Sequence, residues 1–158
     1  MEQDVDYRRK LIERYRKDVE PLFRYLPWLE DKRGKKVSSN YQSDELAHSI
    51  SFPVYDGTLM GFVKTVQRTG LTDRNYVYVY SRYGIKSEKD EHKLIAEITV
   101  KNVEVLTAIM SNYIIGGMTK GWLWPKAVEE GIFLEILLKF KELFVLWDQP
   151  ADVRGKQE

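Results

Sequence analysis

Two histidines, no cysteine, and a run of tyrosines framed by arginines are the residues from which this chain could build a site. His48 and His92 stand in the stretches HSIS and DEHK, and neither has a second histidine at i+4, so no metal-ligand spacing is present. His92 with Asp90 and Glu91 could gather at most a weak divalent ion, and the spacing favours a solvated loop histidine instead. The absence of Cys excludes disulfides, thiolate metal sites and a cysteine nucleophile. Gly116 and Gly121 have the spacing of a phosphate loop, but Trp122 stands where that loop needs lysine and no strand pattern precedes it. No G-x-S-x-G occurs, and Ser111 lies inside a helical pattern. Glu129 and Glu130 are adjacent, so on a helix they diverge by about 100° and make a poor acid–base pair. Glu88, Asp90 and Glu91 read as a solubilising cluster. These residues assign no catalytic group, no cofactor site and no metal ligand.

What remains is a candidate binding surface. Arg74, Tyr76, Tyr78, Tyr80 and Arg82 alternate with Val77 and Val79, the strongest strand pattern in the chain. On a strand, the three tyrosines would share one face with arginines in step, as in a stacking platform for single-stranded nucleic acid. Tyrosine is equally an ordinary strand residue that packs under a helix with its hydroxyl at the edge. The net charge of +1 argues against a strong electrostatic footprint for nucleic acid. Trp122 and Trp124 flank Leu123 and either wall a pocket or interface, or plug the core.

The elements that must position these residues centre on Pro125 to Leu146. From Ile132 onward this stretch is apolar except for Glu135, Lys139, Lys141 and Glu142, and such a helix is buried on several sides. Leu137 and Leu138 are predicted to be buried, with Glu135, Lys139 and Glu142 on the exposed face. Gly131 interrupts the pattern: either the helix breaks there with a positive φ, or it runs through with a neighbour packed against the glycine, and the phase of Val128, Ile132 and Glu135 favours the second. Before it, Asp4–Leu29 reads as helical, with Pro21 kinking it or starting a second helix at Glu20. Glu30–Ser43 reads as a long loop and Ser49–Tyr55 as an edge strand, if any, because of Pro53. A helix follows from Asp56 or Thr58 to Gly70. Ile85–Lys93 reads as a polar turn, and Leu94–Val100 as a partner strand or the lead into a helix capped by Asn102 and ended by Gly116 and Gly117.

The segments LPWLE, FPVYDGTLMGFVKTVQRTGL, TVKNVEVLTAIMSNYIIGGMTKGW and AVEEGIFLEILLKFKEL resemble an uncharacterised bacterial domain family over Leu26 to Leu143. Tyr113, Gly116, Gly121 and Gly131 fit its pattern. Ile115 and Met118 stand near places where that family carries arginines, so the resemblance implies that any arginine-dependent anion site its members have is lost here. It implies a bacterial origin and a helix-rich fold, and no activity.

The chain has 158 residues, 43% hydrophobic and 31% charged, which suits one globular domain over 1–147 with a polar tail over 148–158. The expected class is helix-rich α+β, with a small antiparallel sheet or hairpin carrying Arg74–Tyr83; an all-α domain is the alternative. No membrane span is expected, because Glu135 and Lys139 interrupt the longest apolar tract, and MEQDVDYRRKL does not read as a signal peptide. The functional expectation is a cytoplasmic, non-enzymatic module that binds another protein or itself. The alternatives are a single-stranded nucleic-acid-binding accessory protein and an enzyme with a site assembled from distant residues.

Overall fold

The computed structural model describes residues 2–42, 51–55 and 57–147, and their side chains over 9–37, 57–99 and 101–147. The chain runs α1 (Glu2–Val19), a 3-10 segment (Glu20–Tyr25), α2 (Leu26–Lys32), β1 (Ser38–Gln42), β2 (Ser51–Tyr55), α3 (Gly57–Arg68), α4 (Tyr76–Tyr83), α5 (Glu88–Glu97), a 3-10 turn (Val100–Asn102), α6 (Glu104–Gly116), α7 (Leu123–Glu129) and α8 (Ile132–Trp147). The expected α+β class is corrected by this order: the fold is all-α. Extended structure among the described residues amounts to the antiparallel ribbon of β1 and β2 between α2 and α3, with Pro53 opposite Asn40. No strand carries Arg74–Tyr83.

That segment is helical for a reason written in its own spacing. Tyr76, Val79, Tyr80 and Tyr83 fall at i, i+3, i+4 and i+7, and these four are the residues of α4 that face the core. Alternation of Tyr and Val satisfied a strand period locally, but packing against α6 selects the helical one. Asn75 N–H donates to the Asp73 carboxylate before the helix, and Gly84, in the left-handed region at φ 66°, stops it. The proposed polar turn at Ile85–Lys93 is likewise mostly helix. Ser87 caps α5 by accepting from Asp90 N–H, and Glu88, Asp90 and Glu91 sit at its positive end. The possible strand at Leu94–Val100 is the end of α5 followed by a 3-10 turn, which Thr99 and Asn102 cap reciprocally.

Helix α8 is the rod around which α1, α2, α5, α6 and α7 pack. Its inner side chains join an aromatic chain through the core: Tyr25 meets Phe62 edge-on at 5.3 Å, Phe62 lies 4.9 Å from Phe133, and Phe133 lies 6.3 Å from Tyr113. Tyr15, Phe140, Phe144 and Phe23 extend it toward the C-terminal end. Leu137 is fully buried, as the pattern predicted, but Leu138 is 40% exposed. Glu135 and Lys139 are not free surface residues either. Glu135 pairs with His92 of α5 at 2.5 Å, and Lys139 donates to the Ala96 carbonyl at 3.0 Å. The exposed face is turned from the predicted one toward Leu138, Lys141, Glu142 and Val145 because α5 covers the flank at Glu135 and Lys139.

Gly131 settles its two readings in favour of the break. Its φ is 80°, α7 ends at Glu129, and α8 starts at Ile132, so the continuous helix is overturned. The shared phase across position 131 reflects two helices burying faces against one core. A neighbour does also lie close: a Cβ on Gly131 would stand 2.7 Å from Arg33 Nε. Arg33 can swing away, so the left-handed backbone dominates the cost of a side chain. Gly131→Ala is expected to lower the unfolding free energy by about 1–2 kcal/mol, read by urea titration.

Candidate functional site

The residues singled out from the sequence divide between the interior and one open cleft. Tyr80 is turned inward: its hydroxyl donates to Glu91 Oε2 at 2.6 Å. Tyr113 of α6 donates to Glu91 Oε1 at 2.6 Å, and Asn112 Nδ2 reaches Oε2 at 3.4 Å. Glu91 is buried on the inner face of α5, one turn from Ile95, and its carboxylate joins α4, α5 and α6. Tyr83 donates to Glu104 at 2.8 Å, and Asp73 N–H donates to the buried Ser111 hydroxyl at 2.8 Å, so α4 runs antiparallel to α6. Tyr76 packs edge-on against Tyr80 at 6.1 Å. Tyr78 alone of the three is strongly exposed, at 71%. A shared tyrosine platform therefore does not exist, and Arg74 and Arg82 lie on the outer side of a helix and its approach.

The Glu91 cluster is a satisfied polar rivet. Burial first, and then the adjacent Glu91 carboxylate, push the Tyr80 and Tyr113 hydroxyls well above the ordinary tyrosine range, so both remain donors. The linkage follows directly. The unfolded chain releases these protons near pH 10 while the folded chain retains them, so their stabilisation is full below about pH 10 and declines as pH rises beyond it. Urea unfolding at pH 9 and pH 11 is expected to show a drop in stability that the double variant Tyr80→Phe/Tyr113→Phe shows to a smaller extent.

Trp124 and Trp122, two positions apart, take opposite roles. Trp124 is buried, and its indole N–H donates to the Ile114 carbonyl at 3.1 Å. Trp122 is 56% exposed at the N-terminal end of α7, with Lys126 Nζ 5.2 Å from its ring centroid. It stands on a cleft of about 620 Å³ whose other lining residues are Gly34, Lys35, Lys36, Pro125, Lys126, Glu129 and Glu130. The far wall is the loop after α2. Gly34, at φ 78°, gives its N–H to the Glu129 carbonyl at 2.8 Å, and Val37 N–H donates to Glu129 Oε1 at 3.1 Å. Lys126 pairs with Glu88 at 3.2 Å and Lys35 with Asp31 at 3.2 Å. The cleft thus has an aromatic rim, a buried proline in its lining, and both ammonium groups and the carboxylates of Glu129 and Glu130 around it.

The long loop expected over Glu30–Ser43 is instead, up to Gln42, the end of α2, a link over 33–37 and β1, and sequence reasoning found Trp122 but not the lysines of G-K-K at 34–36 or Lys126. Their one signal was a charged loop without period, which fixes no partner in space. Among the described residues no cluster of three or more His, Asp or Glu is placed to hold a metal, and His92 faces Glu135. His48 lies outside the described residues. No described helix is long and apolar enough to cross a membrane. Compared with protein-family models, curated proteins and solved structures, the chain matches none.

Proposed function

We propose that this chain is a non-enzymatic module that binds a segment of another protein in the cleft at Trp122. The exposed Trp122 ring carries the reading: a large aromatic left open beside a cleft of ligand size is the residue type that anchors interfaces. An apolar side chain of the partner would lie against Trp122 and Pro125, and a flanking carboxylate would meet Lys36 and share Lys35 and Lys126 with Asp31 and Glu88. Met118, exposed on the connection that leads to Trp122, would widen the apolar contact.

Selection of random peptides on the purified chain tests this. Sequences with one aromatic or aliphatic anchor between acidic residues are expected, with affinity falling about tenfold or more in Trp122→Ala. The variant Tyr78→Ala, which changes an exposed ring elsewhere, should bind as the parent does. Equal binding by Trp122→Ala and the parent would place the function elsewhere.

A further inference from the structure

The outer face of α8 is self-complementary, and we infer that two copies of this chain pair through it as an antiparallel, two-fold symmetric dimer. Leu138, Lys141, Glu142 and Val145 are the exposed residues of α8, with Leu138 at 40% and Val145 at 56%. At 100° per residue the four lie within a sector of about 100°, so they form one stripe. A two-fold axis between positions 141 and 142 places Leu138 opposite Val145 of the second copy and Lys141 opposite its Glu142. The reciprocal pairs follow from the same symmetry. Both apolar residues meet apolar residues and both charges meet their opposites in one register. The parallel arrangement sets Lys141 against Lys141 and Glu142 against Glu142, which disfavours it.

The stripe continues into the groove between α5 and α8, about 360 Å³, lined by Ile95, Ala96, Glu135, Leu138, Lys139 and Glu142. Glu142 already receives Lys139 of its own helix at 3.1 Å, which holds its carboxylate on this face. One helix pair is a small contact, so the dimer belongs to the weak, concentration-dependent class. This pairing is independent of the cleft at Trp122.

The test is sedimentation equilibrium of the full chain across a wide concentration range, with thermal unfolding of each variant as the folding control. The parent is expected to self-associate. Lys141→Glu and Glu142→Lys should each weaken the dimer by about tenfold or more, since each sets like charges together twice. The double variant Lys141→Glu/Glu142→Lys regenerates both opposite-charge pairs and should return to within about threefold of the parent. Leu138→Asp should abolish association. A parent that stays monomeric at the highest soluble concentration overturns the inference, leaving the face to another protein or to a segment outside the described residues. A dimer indifferent to the single reversals, or not restored by the double one, also overturns it.

Discussion

Leu137→Ala is expected to destabilise the protein by about 2–5 kcal/mol, while Leu138→Ala, one position on, costs less than about 1 kcal/mol. Leu137 has no exposed surface and belongs to the central cluster, between Phe133 and Phe140 on the inward side of α8. Truncation removes buried methyl groups and leaves a cavity that α1, α2, α5, α6 and α7 cannot all move to fill. Leu138 points outward and keeps 40% of its surface in water, so the same truncation removes little burial. Urea unfolding of the two variants gives the contrast directly. Similar losses at both positions would mean that the helix is rotated from the placement described here.

Gly117→Ala is expected to cost about 3 kcal/mol or more, although its backbone is ordinary. Gly117 has φ −68° and ψ −16°, values that any residue adopts, so a conformational argument predicts no penalty. The penalty comes from Trp124, whose indole occupies the space of a Cβ on Gly117. A methyl there must displace a buried ring and lengthen or break its bond to the Ile114 carbonyl. Overpacking costs about 1–3 kcal/mol and the orphaned indole N–H about 1–3 kcal/mol more. Gly57→Ala provides the control, because a Cβ on Gly57 meets nothing nearby. In the Trp124→Leu background Gly117→Ala should cost much less than in the parent, and an equal cost in both would detach the glycine from the indole.

The sequence carried the apolar rod of α8, the end of α6 and an interruption of the first helix at Pro21, because these rest on long apolar periods or on a residue that breaks a helix. It misled at Tyr76–Tyr83 because eight residues of alternating Tyr and Val fit both periods, and the choice between them lies in α6. It misled at Ile85–Lys93 because α5 is polar on most sides and uses Glu91 where a core position normally holds a hydrocarbon. A carboxylate on the inner face is legible only once Tyr80 and Tyr113 are known to stand opposite it. Gly131 was recognised as anomalous, but the helical phase on either side hid the break. For the cleft, Trp122 was legible as a candidate and its lysines were not, since residues 34–36 are brought beside 122–130 by the fold, where Glu129 accepts from Gly34 and Val37.

Those bonds have a topological meaning. Gly34 and Val37 are tied to Glu129, β1 is paired with β2, and Ile12, Val19, Leu22 and Leu29 are buried in the core beside α8. Each of these seams joins residues up to 42 with residues from 51 onward, and none is a covalent link. The chain connection between Gln42 and Ser51 keeps the two sides of these seams at a high effective concentration. A chain cut there would consist of two fragments that still carry the two sides of these seams. Their reassembly would be governed by concentration, in place of the effective concentration that the connection now supplies.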